Sequence, residues 1–116
     1  MGQFDIGFVI LTWNSERYIQ KCIESIFLLR EFQVIICVVD NGSSDKTIQI
    51  LENLRKKSVP QKMELDIISL KENMGTTISR NLGIKKISSQ IKNLCILDSD
   101  TIINRNAVLD MLSLLY

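Results

Sequence analysis

With 116 residues, 46% of them hydrophobic and a single proline, the chain is long enough to bury about two-thirds of its unfolded surface in one domain, and too apolar for disorder or low complexity. Fourteen basic and thirteen acidic residues leave a formal charge of +1, so bulk electrostatics gives no reason to expect a nucleic-acid partner, and any phosphate must be gripped locally. The absence of histidine removes histidine zinc sites and histidine acid–base catalysis from this segment.

The opening MGQFDIGFVILTW has no basic leader, carries Asp5, and offers too short an apolar run for a signal peptide or membrane span. Ile6 stands where an N-myristoylation pattern needs Ser or Thr. Residues 6–11 form an apolar run that predicts the first strand. Asn14 or Ser15 is placed to cap a following helix, on which Ile19, Cys22, Ile23, Ile26 and Phe27 recur at i, i+3, i+4, i+7 and i+8. Residues 34–39 predict a second strand, and a second helix after Ser43 or Ser44 puts Thr47, Ile50, Leu51 and Leu54 on one face before a basic, Pro60-containing stretch.

Residues 65–70 predict a third strand whose Asp66 and Ser69, with Glu64 just before it, suit a sheet edge. A third helix is expected after Gly75, running through Arg80 and Asn81 towards Lys86, and residues 94–97 predict a fourth strand. Strands one, two and four are nearly all apolar, as in sheets with helices on both faces. Strands alternating with helices give an α/β, Rossmann-like, mostly parallel sheet, for which the order 3-2-1-4 is expected. Residues 105–116 read as a further helix whose Val108, Leu109, Met111, Leu112, Leu114 and Leu115 make more apolar surface than a terminal helix should expose. A chain truncated at its C-terminus is therefore expected, and self-association through that helix is a partner expectation.

Cys22, Cys37 and Cys95 lie far apart without CxxC spacing and cannot all pair, so buried reduced thiols in a cytoplasmic protein are expected. Lys46, Lys56 and Lys57 suit solvated faces.

Chemistry collects where the predicted strands end. The run Cys95-Ile96-Leu97 stops at Asp98-Ser99-Asp100, and in an extended backbone side chains two apart share a face with Cα atoms about 7 Å apart. Two carboxylates about 5 Å apart at an effective dielectric of ~20 repel by roughly 3 kcal/mol, which favours a shared proton or a nearby divalent cation, the cation being the better hypothesis. The other strand ends carry Thr12-Trp13-Asn14, Asp40-Asn41-Gly42-Ser43-Ser44-Asp45 and Asn73-Met74-Gly75. Open α/β sheets bind ligands at the carboxyl ends of their strands, near the point where strand order reverses.

These four segments, with Arg80-Asn81-Leu82-Gly83, resemble in order and spacing the motifs of family 2 glycosyltransferases. That resemblance implies the N-terminal half of a GT-A fold. It implies that residues 1–116 are the nucleotide-sugar-binding part of a catalytic domain of an inverting glycosyltransferase, with cell-surface polysaccharide synthesis as a setting. It further implies that Thr12, Trp13 and Asn14 line the nucleoside pocket and that Asp40 meets the ring N–H of a base, which suits uracil or thymine. Asn41, which replaces a frequent second aspartate, Gly75 and Arg80 complete the implied donor site, with Asn81 a structural neighbour. Asp98 and Ser99 lie near the ribose, and Asp98 and Asp100 form the metal-binding DXD motif for Mn²⁺ or Mg²⁺. The general base and the acceptor site, whether glycan, lipid-linked or protein, are expected after residue 116, so this segment alone is expected to bind donor without transferring sugar. Membrane association of a longer protein stays open. A haloacid-dehalogenase-type phosphatase using Asp98 and Asp100, a nucleotidyltransferase, and a non-catalytic nucleotide-binding module are the alternatives; the second lacks a Gly-rich basic loop after strand one.

Overall fold

The computed structural model describes residues 3–115. Its elements alternate as the periodicity predicts: β1 (Phe4–Thr12), α1 (Ile19–Phe27), β2 (Val34–Asp40), α2 (Thr47–Lys57), β3 (Met63–Ser69), α3 (Thr76–Ile87), a 3-10 turn over Ser88–Gln90, β4 (Ile91–Asp98) and α4 (Arg105–Leu115). The four strands form one parallel sheet in the order β3-β2-β1-β4. The strands β1, β2 and β4 extend one to three residues at an end beyond the apolar runs that announced them, because ladder pairing admits polar residues such as Thr12, Asp40 and Asn93, whereas β3 begins two residues earlier than expected and ends at Ser69, one short of Leu70.

Two cores sandwich the sheet. On one face Ile6, Phe8, Ile10, Ile36 and Val38 pack against Ile19, Cys22, Ile23 and Ile26 of α1 and Leu51 and Leu54 of α2. On the other, Val9, Ile35, Cys37 and Val39 pack with Ile87 of α3. The helix α3 seats closely because a Cβ on Gly83 would lie 2.7 Å from Val9 Cγ1 and 3.1 Å from Val39 Cγ2.

Burial along β4 alternates, which departs from the expectation that helices cover it on both faces. Leu94 and Ile96 pair in register with Gly7 and Val9, hence on the face of α3. That helix lies over β1 and β2, so both side chains stay 43% exposed on an outer strand. No residue of α4 is buried, and Met111, Leu114 and Leu115 are exposed. An apolar cavity of about 340 Å³ lies between β4 and α4, lined by Phe8, Cys95, Leu97, Val108, Met111 and Leu112 among others.

The cysteines are unpaired thiols. Burial, with the nearby charge of Asp100, pushes Cys22 up to about 11, and burial does the same to Cys37. Among the described residues no helix is long and apolar enough to cross a membrane.

Candidate functional site

At the carboxyl edge of the sheet the chain forms hydrogen bonds across its loops as well as along them. Thr12 and Asp40 end β1 and β2 in register, and the Thr12 hydroxyl donates to Asp40 Oδ1 at 2.6 Å. The Ser43 hydroxyl donates to the same oxygen at 2.6 Å and the Ser43 N–H to Oδ2 at 2.9 Å. Asp40 is 1% exposed. Three of its about four acceptor positions are thus filled from within the protein. The structure gives Asp40 the work of folding the β2 loop, in addition to any contact with a base.

Asn14 joins the first two loops. It has φ +49, the single positive value outside glycine among the described residues, a region asparagine tolerates better than most. Its N–H donates to Ser43 Oγ at 2.8 Å, and its Oδ1 accepts from the Ser44 N–H at 2.9 Å. Neither Asn14 nor Ser15 caps α1 with its side chain, contrary to the sequence expectation, because the Asn14 side chain accepts from Ser44 and the Ser15 hydroxyl is engaged with the Trp13 backbone and with Ser99. The Ser15 carbonyl instead accepts the N–H groups of Tyr18 and Ile19.

Asp45 closes the β2 loop onto α2. Its Oδ1 accepts from the Thr47 N–H at 2.9 Å and the Thr47 hydroxyl at 2.5 Å, and its Oδ2 from the Glu16 N–H at 3.2 Å. Partial burial alone would raise this carboxyl, but these hydrogen bonds outweigh it and hold Asp45 below its ordinary range.

The loop after β3 is tied in by Asn41, whose Oδ1 accepts from the Met74 N–H at 3.2 Å and the Ser79 hydroxyl at 2.5 Å. Gly42, at φ +80, lets the β2 loop approach Glu72, whose Cα would be 2.8 Å from a Cβ there. Gly75, at φ +83, precedes α3 with open space around it, leaving the backbone at the helix start accessible.

The acidic pair sits differently from the sequence picture. The strand ends at Asp98, and the Thr101 N–H donates to the Asp98 carbonyl at 3.1 Å, so residues 98–101 form a turn. Any convergence of Asp98 and Asp100 comes from this turn and not from the pleat of a continuing strand. Both residues are exposed, and Ser99 between them donates to Ser15 Oγ at 3.1 Å.

The structure therefore brings Thr12, Asn14, Asp40, Asn41 and Ser99 into one bonded rim, with Gly75 at its third loop. Trp13, 57% exposed, Arg80 on α3, and Asp98 and Asp100 present exposed groups beside it. Ser15, Asp45, Thr47 and Ser79 were not singled out as functional from sequence; the signal available was small polar residues clustered directly after apolar strands. Oxygen donors suit a hard divalent cation. Among the described residues no group of three or more Asp, Glu or Cys could enclose one, so a cation here fits only with two carboxylates and further oxygens from a ligand and water. The cavity beneath α4 has no charged lining and does not suit a diphosphate.

A family model described as glycosyl transferase family 2 matches residues 8–116. The chain belongs to glycosyl transferase family 2. It is similar to the poly(ribitol-phosphate) β-N-acetylglucosaminyltransferase TarS of Staphylococcus aureus, at 33% identity over 107 residues, covering 88% of this chain and 17% of TarS. The poly-β-1,6-N-acetyl-D-glucosamine synthase of Staphylococcus epidermidis is 28% identical over 102 residues, covering 88% of this chain and 23% of the synthase. This family 2 chain thus spans about a fifth of the length of these curated relatives.

A crystal structure of TarS in complex with UDP-GlcNAc matches with a TM-score of 0.75 at 28% identity, over 94% of this chain and 30% of that one. The mannosyltransferase PcManGT of Pyrobaculum calidifontis, in complex with GDP-Man and Mn²⁺, matches with a TM-score of 0.77 over 95% of this chain and 32% of that one. At 15% identity the second likeness speaks for the shared fold, which is that of GT-A glycosyltransferases. Family membership leaves the phosphatase alternative without support.

Proposed function

We propose that this chain is the donor-binding part of a metal-assisted, inverting glycosyltransferase that takes a sugar from a nucleoside diphosphate, UDP or TDP being favoured, to an acceptor hydroxyl. The observation that carries the reading is the position of the Asp98–Asp100 turn. It lies at the sheet's switch point, where the end of β4 pairs beside β1, and is bonded to the loop that holds Trp13.

In this reading the exposed indole of Trp13 offers a stacking face and Thr12 and Asn14 line the nucleoside pocket. Asp40, its loop already ordered, has an acceptor position on Oδ2 for the ring N–H of uracil or thymine. The open backbone at Gly75 and the exposed guanidinium of Arg80 supply positive potential for the diphosphate. Asp98 and Asp100 would hold Mn²⁺ or Mg²⁺, which when bound offsets the negative charge that develops on a departing diphosphate. Asp98 and Ser99 stand near the ribose. Inversion needs a base to take the acceptor's proton, and the reading assigns that base to sequence beyond residue 116.

The names of the relatives support cell-surface polysaccharide synthesis as the setting for the whole protein. Three unpaired cysteines, Cys22 and Cys37 buried and Cys95 half-buried, support a cytoplasmic location. Calorimetric titration of the chain with UDP, TDP and GDP, with and without Mn²⁺, tests the reading. Binding that Mn²⁺ strengthens, and that Asp100→Ala weakens by about tenfold or more, supports it. Absence of binding to any of the three contradicts it.

A further inference from the structure

Ser15 sits where three of the rim loops meet. It is 5% exposed. Its N–H donates to Thr47 Oγ1 at 2.8 Å, and Thr47 in turn donates to Asp45, so the residue is anchored to the β2 loop. Its hydroxyl lies 3.2 Å from the Trp13 N–H, from which it accepts, and 3.3 Å from the Trp13 carbonyl, to which it donates, so it fixes the backbone of the exposed indole. The same hydroxyl accepts from Ser99 Oγ at 3.1 Å, the residue between the two carboxylates. Eighty-four residues of chain separate Ser15 from Ser99, so nothing local obliges the contact.

Two further bonds from α1 hold the segment that follows β4. The Cys22 thiol makes a long contact, 3.9 Å, with the Asp98 carbonyl, and Ser25 Oγ accepts from the Ile103 N–H at 2.9 Å while donating to the Cys22 carbonyl at 2.6 Å. These two grip the segment's backbone at either end of the turn. The Ser15–Ser99 bond grips the turn at the residue between the two carboxylates and passes to the Trp13 loop.

We infer that Ser15, through Ser99, is a positioning residue that couples the nucleoside-binding loop to the cation-binding turn. The inference rests on the donor-binding reading above. A two-carboxylate turn with no third protein ligand has little to hold its geometry except such bonds, and a cation that orders the turn passes its effect to Trp13 through two hydroxyls. The cation therefore strengthens nucleotide binding partly through the protein, in addition to direct contact with the diphosphate.

The test is the factor by which Mn²⁺ tightens UDP binding, measured by calorimetry on the full chain, its Ser15→Ala and Ser99→Ala variants, the double variant and Ser99→Thr. The expected result is that this factor falls by about fivefold in each alanine variant, falls no further in the double variant, and is restored in Ser99→Thr. A purely structural role would weaken UDP equally with and without Mn²⁺, and an unchanged factor in folded variants overturns the inference while leaving donor binding intact. Should Ser15→Ala fail to fold, the partly exposed Ser99→Ala decides the question alone. A wild-type chain that binds no UDP overturns the donor-binding reading, and this inference with it.

Discussion

Removing the Asp40 carboxylate strips an acceptor from two hydroxyls and one backbone N–H at once, inside a site where water has little access. Asp40→Ala is expected to lower unfolding free energy by about 1–3 kcal/mol, measured by urea denaturation, and a loss under about 0.5 kcal/mol would deny it this role. Asp45 makes a different prediction. Its carboxyl is held below the ordinary value of 3.8, so its stabilisation is complete above that value and is lost as the pH falls through the lower folded-state value. Thermal melts of wild type and Asp45→Asn should differ at neutral pH and converge in acid, once the pH has fallen through the lowered folded-state value; a difference that persists in acid would point to packing instead of charge. At this scale the sequence disclosed residue types but not their partners. Asp40 and Asn14 were legible as ligand-type residues after strands, whereas the bond of Asp40 to Thr12 and those of Asn14 to Ser43 and Ser44 depend on register between β1 and β2, which residue spacing does not encode.

The helix α3 is the element on which the third rim loop and Arg80 depend, and it is the least amphipathic of those read from sequence: only Ser79, Gly83 and Ile87 are buried, at i, i+4 and i+8. Its seat is the glycine notch over Val9 and Val39. Gly83→Ala should cost about 1–3 kcal/mol in denaturant unfolding through overpacking, even though alanine favours helix; a stabilised variant would show that α3 is free to lift. The helix α1, by contrast, was visible in detail because all five of its periodic apolar positions are buried. The start of α1 differs from the sequence expectation because Asn14 and Ser15, polar residues after a strand, bond to neighbouring loops instead of capping their own helix.

For the whole molecule, alternation of apolar runs and helical spacing was enough to give a parallel sheet and its order, because β3 carries polar residues and β1 and β2 carry almost none. What it did not give is the exposure of β4, since an apolar outer strand and an apolar central one look alike when only the residues are known. Leu94 and Ile96 on one face and Met111, Leu114 and Leu115 on the other predict concentration-dependent association of the isolated chain. Sedimentation should show it, reduced in Leu114→Glu combined with Leu115→Glu; a strictly monomeric wild type would refute the prediction. The central claim concerns the opposite property, a polar rim built for an activated sugar. Its most direct test is a crystal structure of the chain grown with UDP and Mn²⁺. The account predicts the cation on the Asp98–Asp100 turn, touching the diphosphate, with the base against the loop of Thr12 and Trp13. A nucleotide bound elsewhere, or a cation held away from both carboxylates, would contradict it.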